Sequence, residues 1–219
     1  MPNSFAKSTV SLVLGAVFLV WGMIVPSELR SAEPESASST SQDEPQPIFS
    51  PDTGEGSLQS GRDVGDYVPT FYTRAVTGPL MNRSVCYVCR NGQRPVVMVV
   101  LRKLGDDFKP LLKQLDSLVD NHRAEGLRSF GVFVSEDPSE AISKVQTFSF
   151  DHKITLPLTV ASTTIAEPHC QNIHEDADVT VVLYEKRRVV KRYAFRTGEL
   201  KPPQIQKVSQ SIQQLLKPR

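Results

Sequence analysis

The chain has 219 residues, with 25 Lys or Arg against 24 Asp or Glu and a formal net charge of +1. That length accommodates one domain plus accessory segments. Charge this balanced, with basic residues scattered along the chain, gives no expectation of nucleic-acid binding.

Lys7 supplies a short positive start, and residues 10–25 form an uncharged apolar run interrupted only by small residues such as Ser11 and Gly15. The run is short of the roughly 20 residues that cross a bilayer comfortably. Small residues at Val25-Pro26-Ser27 suit signal cleavage, and Arg30-Ser31-Ala32 suits it less well because Arg stands third from the cut. Residues 1–27 are therefore expected to be a signal peptide or an N-terminal membrane anchor, without a lipobox cysteine. All three cysteines lie downstream, where export would expose them to an oxidising compartment. The expected location is periplasmic, or membrane-anchored and facing away from the cytoplasm.

Residues 28–62 are rich in Ser, Pro, Glu, Gln and Gly and poor in apolar side chains, which predicts a disordered linker. This stretch carries a net charge of −5, whereas residues 63–219 hold 22 basic and 17 acidic residues and a net of +5. The folded domain is expected at 63–219. Its one basic cluster, Lys186-Arg187-Arg188, reads as the solvated tip between two strands.

Within the domain, residues 85–89 and 95–101 flank Arg90-Asn91-Gly92, and Asn-Gly is a tight-turn signal that predicts a hairpin. Residues 96–101 are a buried-looking strand, Val-Val-Met-Val-Val-Leu. Phe108, Leu111, Leu112, Leu115, Leu118 and Val119 then recur at helical spacing, with Pro110 tolerable in the first turn. Asp106-Asp107 reads as a cap pair for that helix. Residues 130–134 predict another strand. Asp137-Pro138-Ser139-Glu140 opens a second helix with a cap, a proline at the first helical position and an acid placed to reach back. Residues 163–170 suggest a short helix or turn. Residues 179–184 and 189–195 predict an antiparallel pair, followed by a helix at 201–217 with Ile205, Val208, Ile212, Leu215 and Leu216 on one stripe. Alternating strands and helices predict an α/β fold whose sheet is covered on both faces.

Gly65-Asp66-Tyr67-Val68-Pro69-Thr70-Phe71 resembles the opening motif of the peroxiredoxin-like (alkyl hydroperoxide reductase and thiol-specific antioxidant) branch of the thioredoxin superfamily. Residues 134–141 resemble that branch's second strand and helix start. Residues 153–158 resemble the approach to its third strand, and Asp178 to Tyr184 with Val189-Val190 its terminal hairpin. Cys86-Tyr87-Val88-Cys89, running through Arg90, Asn91, Gly92, Gln93 and Arg94 to Pro95, is similar to a block in exported thioredoxin-like proteins of planctomycete-type bacteria. The resemblance implies a thioredoxin-like three-layer sandwich, a central mixed sheet with helices on both faces. The sequence departs from the superfamily pattern at two places. The segment after the first core strand, Arg102-Lys103-Leu104-Gly105-Asp106-Asp107, holds no thiol, so peroxidase activity of the familiar kind is not expected. Where thioredoxins keep a cis-proline the matching residue is Val179, for which an ordinary trans bond is expected because a non-proline cis bond costs about 2.5–4 kcal/mol.

The dithiol is thus displaced upstream of its usual place, and three roles stay open for it. As a redox pair, Cys86 and Cys89 would close a small ring where the chain bends, with Arg83, Arg90 and Arg94 favouring the thiolate and Cys89 the more exposed. As metal ligands, Cys86 and Cys89 would need partners such as His169, Cys170 and His174, a donor set suited to zinc or copper. As structural residues they would be an inert staple or packed thiols. Cys170 alone reads as a buried cysteine, while His122 at a helix end and His152 in a loop read as solvated or capping residues. No Gly-rich phosphate loop, Gly-x-Ser-x-Gly elbow or His-Glu-x-x-His is present. The leading expectation is an extracytoplasmic thiol–disulfide oxidoreductase acting through Cys86 and Cys89 on protein thiols or disulfides, without a cofactor. The alternatives are a zinc or copper protein and a redox-inactive interaction module on the same scaffold.

Overall fold

The computed structural model of the protein describes residues 58–217. The leader or anchor expected at 1–27 and residues 28–57 of the expected linker lie outside the described residues. Among the described residues, no helix is long and apolar enough to cross a membrane.

The strands are β1 (Thr73–Ala75), β2 (Ser84–Val85), β3 (Val96–Leu101), β4 (Arg128–Ser135), β5 (Leu158–Ser162), β6 (Val179–Glu185) and β7 (Arg188–Phe195). They form one seven-stranded sheet in the order β2-β1-β5-β4-β3-β6-β7. β3, β4 and β5 run parallel, and the remaining pairs are antiparallel. The expected mixed α/β sheet is present, with helices on both faces.

β3 lies in the interior of the sheet and is buried along its whole length, which explains its unbroken apolar sequence. Its alternate side chains feed two separate cores. Val97, Val99 and Leu101 pack with the long helices α2 (Lys109–Asn121), α3 (Pro138–His152) and α4 (Pro202–Leu215). Val96, Met98 and Val100 pack with Val68, Phe71, Ile165, Ile173 and the short helix α1 (Tyr87–Asn91). The chain steps from β3 to β4 to β5 in one direction along the sheet, so two right-handed crossovers place α2 and α3 on the same face. The opposite face is left to shorter segments.

The predicted hairpin at 85–101 does not form. Tyr87 to Asn91 are helical, and Gly92 ends that helix with φ 59°, its N–H donating to the Val88 carbonyl. Asn91-Gly92 therefore acts as a helix stop, a role glycine fills through its freedom at positive φ. β2 pairs instead with β1, Val85 opposite Thr73.

The capping details also differ from expectation. Asp106 and Asp107 enter a single 3-10 turn and make no side-chain cap. Asp106 instead meets His152, which closes α3 and is not in a loop, at 3.1 Å. Asp137 caps α3 as expected, accepting from the Ser139 and Glu140 N–H groups. Glu140 does not reach back, because the Ser135 hydroxyl takes the Asp137 N–H and Glu140 pairs with Lys144.

Buried polar groups pin the elements together. The Asp116 carboxylate on α2 accepts the Thr155 and Leu156 N–H groups at 2.9 and 2.7 Å, fixing the approach to β5. Asp178, just before β6, accepts from Lys103 and from the Thr197 backbone and hydroxyl. Residues 59–62, assigned by composition to the linker, are bonded to the fold: Ser60 meets the Thr180 hydroxyl at 2.6 Å and Gly61 donates to the Asn172 carbonyl.

Gly131 on β4 has no room for a side chain, since an added Cβ would stand 2.6 Å from Leu158 Cδ2. Leu158 is itself buried, so Gly131→Ala should cost about 1–3 kcal/mol, read as a lower urea midpoint at unchanged slope. Burial pushes the Asp178 carboxyl up, but the bonds from Thr197 and Lys103 outweigh it and hold the group below the ordinary value of 3.8. A carboxyl held low contributes stability that is complete above the ordinary value and is lost as pH falls through the lower folded one. Asp178→Asn should therefore lower the urea midpoint at about pH 7 and lose less than the parent protein between about pH 4 and pH 2.

Candidate functional site

Val85 ends β2, and the next residue leaves the strand to cap α1. Cys86 is extended, and its sulfur accepts the Cys89 N–H at 3.1 Å, filling the place a Ser or Asp oxygen usually takes at an N-cap. One helical turn brings residues three apart to the same side. The Cys86 and Cys89 sulfurs are bonded to each other, with Cα atoms 5.3 Å apart. The bend that the dithiol requires is thus supplied by a helix and not by a hairpin.

The period of α1 decides which residues face inward. Tyr87, Val88 and Asn91 lie against the sheet, leaving Cys89 and Arg90 exposed. Tyr87 stacks on Phe130 of β4 with ring centroids 5.0 Å apart. Cys86 belongs to the same apolar cluster and is 8 % exposed, whereas Cys89 is open to solvent. Cys89 is therefore the more exposed residue of the pair, as its place beside Arg90 suggested.

Beneath the helix the site is apolar but not wholly so. Burial raises the Tyr87 phenol above its ordinary value, with Arg90 opposing in part. Burial pushes the Tyr184 phenol up further, against the weaker influence of the Asn91 carboxamide and Arg187. Both phenols remain neutral through the physiological range. Neither the Tyr87 nor the Tyr184 hydroxyl completes a well-formed hydrogen bond, nor does Asn91 Nδ2. Around the rim, Arg83, Arg90 and Arg94 are all exposed. The Lys186 N–H donates to the Gln93 carbonyl at 3.3 Å, so the basic β6–β7 tip adjoins the loop that follows α1.

The loop after β3, where the sequence holds no thiol, is committed to structure. The Arg102 guanidinium donates to the Ile173 carbonyl at 3.1 Å, Lys103 meets Asp178 at 2.9 Å, and Asp106 meets His152. An open pocket of about 570 Å³ lies beside it, lined by Leu104, Phe133, Phe148 and His152 among others, and it contains no thiol.

The alternative ligand set is not gathered by the fold. His169 is exposed and paired with Glu167 at 3.2 Å. His174 Nδ1 accepts the Asp176 N–H at 3.1 Å. Cys170 is half-buried and unbonded to another cysteine, its thiol raised by burial against weaker lowering by Gln171. Among the described residues, no group of three or more His, Cys, Asp or Glu is placed to hold a metal ion. Two sulfurs bonded to each other offer no thiolate pair to zinc or copper.

Sequence reasoning found both cysteines but missed their supports, Tyr87, Asn91, Phe130 and Tyr184. The signal was available in part: Tyr87, Val88 and Asn91 recur at helical spacing around the dithiol.

No protein-family model matches the chain, and a search of curated proteins finds no match. Solved structures do match. A provisionally assigned thiol:disulfide interchange protein DsbE from Chlorobium tepidum superposes with a TM-score of 0.52 at 16% identity, over 71% of this chain and 99% of that one. A provisionally assigned protein disulfide isomerase from Bacteroides thetaiotaomicron gives 0.56 at 17% identity, over 74% and 96%. Peroxidoxin BcpB from Mycobacterium tuberculosis gives 0.52 at 14% identity, over 71% and 98%. At these identities the likeness is one of fold. The chain has the thioredoxin-like α/β fold, in the version shared by DsbE-type interchange proteins and peroxiredoxins.

Proposed function

We propose that the protein is an extracytoplasmic thiol–disulfide oxidoreductase that exchanges its Cys86–Cys89 bond with protein thiols or disulfides. The observation that carries this reading is a closed Cys-x-x-Cys with one cysteine residue exposed and the other buried in the fold. A disulfide reacts only where a thiolate can reach one of its sulfurs along a clear path. Of the pair, Cys89 is the exposed residue. The fold adds weight, since the Chlorobium and Bacteroides structures that share it carry thiol:disulfide interchange and disulfide isomerase names.

In the net reaction two client thiols become a disulfide while the Cys86–Cys89 bond becomes two thiols. Two electrons and two protons pass from client to protein, and the reverse direction reduces a client disulfide. No cofactor is needed for either direction. An exported location, through a leader or anchor at 1–27 and a tether at 28–57, completes the proposal. It rests on the apolar run at 10–25 and on the oxidising environment a disulfide prefers.

Cys86→Ser and Cys89→Ser should each reduce insulin-disulfide reduction to the rate of the added reductant alone, followed as insulin precipitation in the presence of dithiothreitol. A wild-type protein that gives no acceleration, once its own disulfide is reduced, would count against the proposal.

A further inference from the structure

We infer that exchange has reversed polarity: the client sulfur bonds to Cys89, the second cysteine of the motif, and Cys86 is the buried resolving sulfur. This inference rests on the exchange reading above.

Three observations converge on it. Access comes first. β2 delivers the chain straight into the face of the sheet at Cys86, which packs among Val85, Tyr87 and Val88 and is 8 % exposed. Cys89 sits on the outward side of α1 beside exposed Arg90. An incoming protein thiolate must approach along the S–S axis from outside the attacked sulfur. Of the two residues, Cys89 is the one exposed to solvent and Cys86 the one enclosed.

The leaving group comes second. Attack at Cys89 Sγ expels Cys86 Sγ, and that sulfur already accepts the Cys89 N–H at 3.1 Å. The same hydrogen bond strengthens as the sulfur takes on charge, because bonds to ionised acceptors are the stronger ones. Attack at Cys86 would instead expel Cys89, which accepts no such bond among the described contacts. The third observation is support. Tyr87 on Phe130 and the buried Val88 and Asn91 hold α1 against the sheet, so Cys86 stays within reach of Cys89 after the bond opens.

The steps balance. A client thiolate attacks Cys89 Sγ; the client S–Cys89 bond forms, the Cys86–Cys89 bond breaks, and the electron pair leaves on Cys86. The client's second thiolate then attacks its own sulfur in the mixed disulfide. That step forms the client disulfide and releases Cys89 as a thiolate. The two protons lost by the client thiols are matched by two taken up on Cys86 and Cys89. In reverse, the Cys89 thiolate attacks a client disulfide. Cys86 then attacks Cys89 Sγ and frees the client's remaining thiolate.

The test uses the full-length chain in a Cys170→Ser background, so that each further variant keeps one thiol. Cys86→Ser and Cys89→Ser proteins are incubated with glutathione disulfide, and the mixed disulfide is quantified by intact mass over time. The expected result is that Cys86→Ser, which keeps Cys89, accumulates the adduct about tenfold faster or more than Cys89→Ser. Equal rates, or the faster reaction in Cys89→Ser, would overturn the polarity and leave exchange standing. A parallel measurement needs no loss of either cysteine. The oxidised Cys170→Ser protein is mixed with excess reduced glutathione, quenched in acid, and the modified cysteine is located by peptide mass. An adduct on Cys89 supports the assignment, and one on Cys86 overturns it. If the oxidised protein takes up no glutathione and neither single-thiol variant forms an adduct, the exchange reading itself fails, and the polarity with it.

Discussion

A strand buried on both faces governs this molecule. β3 presents three side chains to each side, and neither side meets water. Burying that apolar surface stabilises the fold at about 25 cal/mol per Å² removed from water, provided both faces are covered. The right-handed steps from β3 through β4 to β5 spend the long helices α2 and α3 on one face, and α4 joins them there. The second face must be covered by what remains, and much of that cover is the stretch from Val68 to Val88 together with the turn near Ile165. The dithiol lies in this cover. Its cysteines are therefore part of a structural layer before they are part of any reaction.

Helix α1 illustrates the consequence. Five residues cannot hold a helix in isolation, because nucleation is costly and too few hydrogen bonds follow it. α1 keeps its shape through the Tyr87–Phe130 stack, the buried Val88, the sulfur cap and the Cys86–Cys89 bond. Asn91 brings a carboxamide under the helix, beside the Tyr184 phenol, where it partly offsets the rise that burial imposes on that hydroxyl.

The loop after β3 is the complementary case. There Lys103 pairs with Asp178, the Arg102 guanidinium donates to the Ile173 carbonyl, and Asp106 meets His152 on α3. Those contacts anchor the end of the central strand. The bonded Cys86–Cys89 pair lies before β3 in chain order, and this committed loop lies after it.

Much of this was legible in the residues. The strands at β3, β4, β6 and β7 and the stripes on α2, α3 and α4 follow from apolar period alone, since burial selects side chains by period. The Cys86–Cys89 candidate followed from spacing. The region just before β3 was not legible, because Asn91-Gly92 suits a hairpin turn and a helix stop equally well. Local preference could not choose between them. The choice was made by the bare second face of the sheet, which Tyr87 and Val88 cover only if the chain coils. Composition likewise put the start of the domain at Asp63, whereas Ser60 and Gly61 are held by partners at Thr180 and Asn172, more than a hundred residues away. By itself, then, the sequence determined the elements whose burial is periodic and the presence of a dithiol near β3. Tertiary structure alone decided that the dithiol is bonded across a helical turn, with Cys86 inward and Cys89 outward. The physical reason is that exposure at a helix depends on which side the sheet stands, and the sheet is assembled from residues distant in the chain.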